Sequence, residues 1–160
     1  MDGVPEPRCE MGFGPHLVLD GYAHQGSTRL GDLELLYTAL DELPDRIKMT
    51  KIMPPYVFRN GDPSQPESYG LSGFVLIAES HISLHTFPYR RFLNADIFSC
   101  HPFDVGQALR YLEETFELES YNHAILDRGT EFPKDLAGAR AVTKKQRKRL
   151  QIPVVRPATA

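Results

Sequence analysis

Apolar residues recur along this chain with two different periods, and the changes from one to the other divide it into elements. HLVLDGYA (16–23) alternates and reads as a strand, and the turn-rich QGSTRLGD that follows leads to Asp32, a residue suited to cap a helix. Beyond it Leu33, Leu36, Leu40 and Leu43 fall at helical spacing, and Pro44 is expected to stop the helix. A β-rich stretch from Ile47 to Phe58, interrupted by Pro54 and Pro55, gives way to a polar loop over 59–70. Strands are expected at 73–80, 81–87 and 93–100. Asp104 then caps a second helix with Val105, Ala108, Leu109, Leu112 and Phe116 on one face, before a last strand at 121–127. The order is β-α-β-β-β-β-α-β.

Two short helices with one apolar stripe each, joined to several strands by brief connections, imply an α+β fold with a single antiparallel sheet and both helices on one face. A sheet covered on one side leaves its other face apolar and exposed. Two subunits packing sheet to sheet into an αββα sandwich would bury that face, so a homodimer, or a higher homo-oligomer, is expected.

The length, 160 residues, suits one folded domain. No apolar run approaches the roughly 18 residues of a membrane span. MDGVPEPRCEMG lacks the basic and then apolar segments of an export signal, and two cysteines, Cys9 and Cys100, are too few for a disulfide framework. A cytoplasmic location is expected. The net charge of −3 hides an asymmetry, because the last acidic residue is Asp135 while seven of the 18 basic residues lie from Arg140 onward. Residues 1–12 are read as a flexible N-terminus, 13–133 as the functional domain and 134–160 as a basic, solvated tail for which nucleic acid is not the expected partner.

Reactive side chains concentrate between Ser72 and Cys100. On a strand His81, Ser83 and His85 would share one face and Ser80, Ile82, Leu84 and Thr86 the other. A paired structural histidine is the ordinary reading of either imidazole. His81 and His85 have a spacing that joins metal ligands on a helix, but on a strand their Cα atoms stand roughly 13 Å apart, too far for one ion. A Ser80 or Cys100 nucleophile with His85 as base lacks a G-x-S-x-G elbow, and GDPSQPESYG has neither the lysine nor the glycine spacing of a phosphate loop.

The block SGFVLIAESHISLHTFPYRRFLNADIFSC (72–100) closely resembles the processing region of the S-adenosylmethionine decarboxylase proenzymes of the bacterial and archaeal type, with weaker similarity over 13–132. The resemblance implies a precursor that cuts itself between Glu79 and Ser80. Ser80 attacks the preceding carbonyl, and elimination and hydrolysis turn it into a covalent pyruvoyl cofactor. Ser72 would hydrogen-bond the intermediate and His85 would remove the proton that permits elimination. A Schiff base between that ketone and the α-amine of a small-molecule substrate would then release carbon dioxide without a metal, and Cys100 would protonate the product at carbon. An unperturbed thiol, mostly protonated at neutral pH, suits that role.

The family motif H-T-W-P-E ends in a glutamate that binds the ribose of adenosylmethionine, whereas this chain reads His85-Thr86-Phe87-Pro88-Tyr89. The adenine-stacking aromatic aligns with Pro66, and Tyr69 could take its place. Tyr89 and Tyr69 are therefore the candidate substrate-binding residues, and loss of the carboxylate leans the substrate toward L-ornithine or L-arginine, still within polyamine synthesis. Adenosylmethionine is the alternative, and a non-catalytic binding homologue is a remote third. Arg90 and Arg91 would bind the substrate carboxylate or point to solvent.

Overall fold

The computed structural model describes residues 14–62 and 64–128, and, in helical conformation, 137–138, 140–142 and 144–145. The expected N-terminal segment and most of the basic tail lie outside the described residues. The elements are β1 (Pro15–Ala23), α1 (Leu33–Arg46), β2 (Tyr56–Asn60), β3 (Gly70–Ile77), β4 (Ser80–Phe87), β5 (Phe92–Ser99), α2 (Val105–Phe116) and β6 (Leu118–Asp127). The strands form one antiparallel sheet of six in the order β2-β3-β4-β5-β1-β6. This is the α+β architecture expected.

Register decides which side of the sheet each residue takes. Leu17 and Leu19 of β1 stand opposite Ile97 and Ala95 of β5. Those in turn face Ile82 and Leu84 of β4, and the row continues through Val75 and Gly73 of β3. These residues, with Leu36, Leu40 and Leu43 of α1 and Leu112 and Phe116 of α2, make a single core. Gly73 belongs to it for a steric reason: a Cβ there would lie 2.7 Å from both Leu40 and Val57, so only glycine lets α1 close on the sheet. Buried Thr86 donates to the Leu30 carbonyl at 2.7 Å, which makes it a structural strut.

Each helix begins where its cap was expected. Asp32 accepts from the amides of Glu34 and Leu35, and Asp104 from that of Gln107. Pro44, however, does not end α1, which runs on to Arg46. Its ring is buried and only two helical residues follow it, so the lost hydrogen bond falls in the final turn, where it costs least. Strand boundaries also shift. β2 starts only after the two prolines, and residues 47–55 form no strand, meeting β3 in the ladder pattern only at the isolated Lys51–Ile77 bridge. β3 occupies 70–77 rather than 73–80, which places Ser72 inside it and leaves Ala78 and Glu79 as a two-residue turn. β6 begins at Leu118, three residues early.

Among the described residues, none covers the opposite face of the sheet. Tyr22, Tyr56, Phe58, Phe74, Leu76 and Leu126 stand exposed there.

Candidate active site

Two separate groups of side chains are built on the β3–β4 hairpin. At its tight end Ser80 has φ +155°, a region nearly reserved for glycine and costly to other residues by of order 1–3 kcal/mol. The peptide is clamped from both sides. The Glu79 carbonyl accepts a hydrogen bond from the Cys100 amide at 2.9 Å, and its carboxylate accepts one from the Thr50 amide at 3.1 Å. Ala78 donates to the Thr50 carbonyl at 2.8 Å. Ser99, fully buried, accepts from the His101 amide and donates to the His101 carbonyl, which shapes the turn carrying half-buried Cys100.

The Ser80 hydroxyl lies 3.2 Å from Nδ1 of His81. His81 faces the open side, its ring edge against Phe98, with His16 on the other side of that phenyl. His16 Nε2 is 3.2 Å from Asp96 Oδ1, and Arg128 lies over the Phe98 ring. Partial burial holds His81 below the ordinary histidine pKa; His16 and Arg128 push the same way and Asp96 opposes them.

The second group lies further along the hairpin. Ser72, buried, pairs with His85 in the ladder, its Oγ 2.9 Å from His85 Nδ1, and donates its proton to Asn60 Oδ1 at 3.0 Å. With that proton committed to Asn60, His85 donates from Nδ1 to the serine oxygen, and Nε2 carries the lone pair. Beyond the same end the rings of Tyr69 and Tyr89 meet edge to face at 6.2 Å, with Tyr89 62% exposed. Arg90 pairs with Glu67 at 3.3 Å, and Arg91 donates to the Ala23 carbonyl at 3.1 Å, so both cations have protein partners.

Glu79, Ser80 and Cys100 are thus brought together, as are Ser72 and His85, but the two groups do not meet within one chain. His85 is five residues from Ser80 on the same strand, about 16 Å at about 3.3 Å per residue. Sequence reasoning missed Asn60, which it placed in a polar loop, and the Thr50 amide. Neither carries a local signal, since each reaches its partner only through strand register.

An antiparallel sheet backed by two helices carries on one hairpin a Glu-Ser peptide with a positive φ and a Ser-His pair, the arrangement expected of a self-processing α+β enzyme. The family model for S-adenosylmethionine decarboxylase matches residues 15–129, and the chain belongs to that family. A proenzyme of that name from Archaeoglobus fulgidus is 34% identical over 117 residues, covering 72% of this chain and 97% of the relative. One from Acidithiobacillus ferrooxidans is 36% identical over 107 residues, covering 65% and 73%. The crystal structure of the adenosylmethionine decarboxylase from Aquifex aeolicus superposes with a TM-score of 0.58 at 25% identity, covering 74% of this chain and 92% of that one. This chain is accordingly a pyruvoyl-dependent decarboxylase of polyamine biosynthesis, its cofactor derived from a serine by self-cleavage.

Proposed function

We propose that Ser80 is the serine converted, that the substrate is S-adenosylmethionine, and that the working site is shared between two copies of the chain. The observation that carries this reading is the Glu79–Ser80 peptide itself, strained at φ +155° with its carbonyl already held by the Cys100 amide. A donor on that oxygen stabilises the negative charge that develops there when the serine hydroxyl adds. The residues present fit the pyruvoyl group, which forms from the backbone at this position. When formed, it supplies a ketone that captures the substrate amine and accepts the electron pair released with carbon dioxide. Cys100, held by the Ser99 turn, supplies the proton that replaces the lost carboxylate.

The leaning toward ornithine or arginine, drawn from Tyr89 and Pro66 at the expected nucleoside contacts, is withdrawn, because the related proteins carry the S-adenosylmethionine decarboxylase name. Two local features support that substrate. Tyr69 and Tyr89 offer an aromatic surface for a base, and Glu67, paired with Arg90, is a carboxylate that would accept from ribose hydroxyls.

Dimerisation answers the separation of the two groups. In a face-to-face pair, a two-fold axis lying between the sheets and crossing β4 near Ser83 sets His85 of each chain over the Ser80 region of the other. The same packing covers the exposed aromatic face. Carbon dioxide release from adenosylmethionine, ornithine and arginine, measured side by side on cleaved protein, tests the substrate. Preference for adenosylmethionine by at least a hundredfold is expected, and turnover of either amino acid at a comparable rate would overturn it.

A further inference from the structure

We propose that His81 is the base and acid of the first step of self-cleavage, taking the Ser80 hydroxyl proton on Nδ1 and returning it to the Ser80 amide nitrogen. The inference rests on the reading that the Glu79–Ser80 peptide cleaves itself, and it assigns a catalytic role to a histidine that the ordinary reading treats as structural packing on Phe98. A serine hydroxyl is a poor nucleophile until a base removes its proton as the new bond forms. His85 of the same chain is about 16 Å away and in the proposed dimer a copy of it serves the later elimination, while His81 Nδ1 stands 3.2 Å from the oxygen within the chain itself.

Atoms and electrons balance in this step. The Ser80 oxygen forms a bond to the Glu79 carbonyl carbon, closing a five-membered ring, and the carbonyl π pair moves onto the oxygen that the Cys100 amide holds. His81 keeps the hydroxyl proton at Nδ1. The ring opens when the carbonyl re-forms and the C–N bond breaks, its electron pair going to nitrogen, which takes the proton back from His81. The product is an ester between Glu79 and the Ser80 oxygen with a free Ser80 amine, and nothing is oxidised or reduced.

The surroundings suit a base. His81 is faced by His16 from β1, Asp96 and Phe98 from β5 and Arg128 beyond β6. Their combined effect with partial burial keeps the imidazole unprotonated at neutral pH. Nδ1 then carries the accepting lone pair whenever Nε2 bears the hydrogen.

The test tracks freshly made full-length chain from one band to two on a denaturing gel. Duplicate samples are treated with hydroxylamine, which cuts an ester but not a peptide. His81→Gln should cleave at least tenfold more slowly than the parent, and His81→Ala should regain cleavage when imidazole is added. Before that addition neither should yield to hydroxylamine, whereas His85→Ala, halted after the ester has formed, should. The parent's rate should stay level through neutrality and fall only below about pH 6.5, the ordinary histidine value. Three results would overturn the assignment: cleavage of His81→Gln at the parental rate, a hydroxylamine-sensitive ester accumulating in His81→Ala, or no imidazole rescue of a His81→Ala chain whose circular dichroism matches the parent. A parent chain that itself stays single and resists hydroxylamine would remove the self-cleavage reading as well, which separates the two failures.

Discussion

Ser80 holds a backbone angle, φ +155°, that an ordinary strand residue avoids. In an ordinary strand glycine is worse than alanine by about 0.5–1 kcal/mol, because it loses more freedom on folding. At φ +155° that order should reverse, since glycine alone adopts the angle without strain. Among uncleavable variants, Ser80→Gly should therefore melt above Ser80→Ala by a few degrees, measured by thermal denaturation. Asn60 is the complementary case, acting through other groups. It accepts the Ser72 proton and so fixes which nitrogen of His85 is basic. Asn60→Leu should form the Ser80 ester but stall before elimination, seen as hydroxylamine-sensitive precursor with at least a tenfold slower appearance of two chains. Of these residues, Glu79, Ser80, His81 and His85 are legible in the sequence because they sit together in one block. Asn60 is not, because its partner Ser72 is twelve positions away and only the β2–β3 register unites them.

At the scale of elements, the periodic segments are readable and their ends are not. Apolar spacing and the two aspartate caps locate α1 and α2, since both signals are local. Pro44 misleads because a proline's cost depends on where in the helix it falls, and the β3–β4 boundary misleads because VLIAESHIS carries no glycine or asparagine to mark the turn at Ala78–Glu79. The register of that hairpin also governs the fate of the two fragments. A cut between Glu79 and Ser80 would remove one link of a hairpin whose arms are paired from Leu71–Thr86 to Ile77–Ser80, and β1 of the first fragment would lie between β5 and β6 of the second. The fragments should elute together in native gel filtration and part only in denaturant. Gly73 sets the distance between α1 and the sheet, so Gly73→Ala should cost about 1–3 kcal/mol by overpacking against Leu40, read from urea denaturation.

At the scale of the whole molecule, the proposed pairing of two copies would unite side chains that one chain keeps apart on β4. The exposed aromatics, His81 and the Ser72–His85 pair share one face of the sheet, so in the proposed dimer the surface that buries the aromatics would also complete the site. A single sequence can show that an apolar face is left over, but the separation of His85 from Ser80 emerges only when both are placed on β4. Co-expressing Ser80→Ala with His85→Ala should restore cleavage in the His85→Ala chain alone, because its Ser80 would be served by His85 of the partner. Neither variant cleaves by itself. Within the described residues no helix is long and apolar enough to cross a membrane.

Intact mass measurement of the purified protein under denaturing conditions, beside Ser80→Ala, tests the central claim most directly. Two chains are expected from the parent, one ending at Glu79 and the other beginning at position 80 with a ketone in place of its amine, and one uncut chain from Ser80→Ala. A catalytically active parent that remains a single chain with serine at position 80, or a Ser80→Ala chain cut at the same bond, would contradict it.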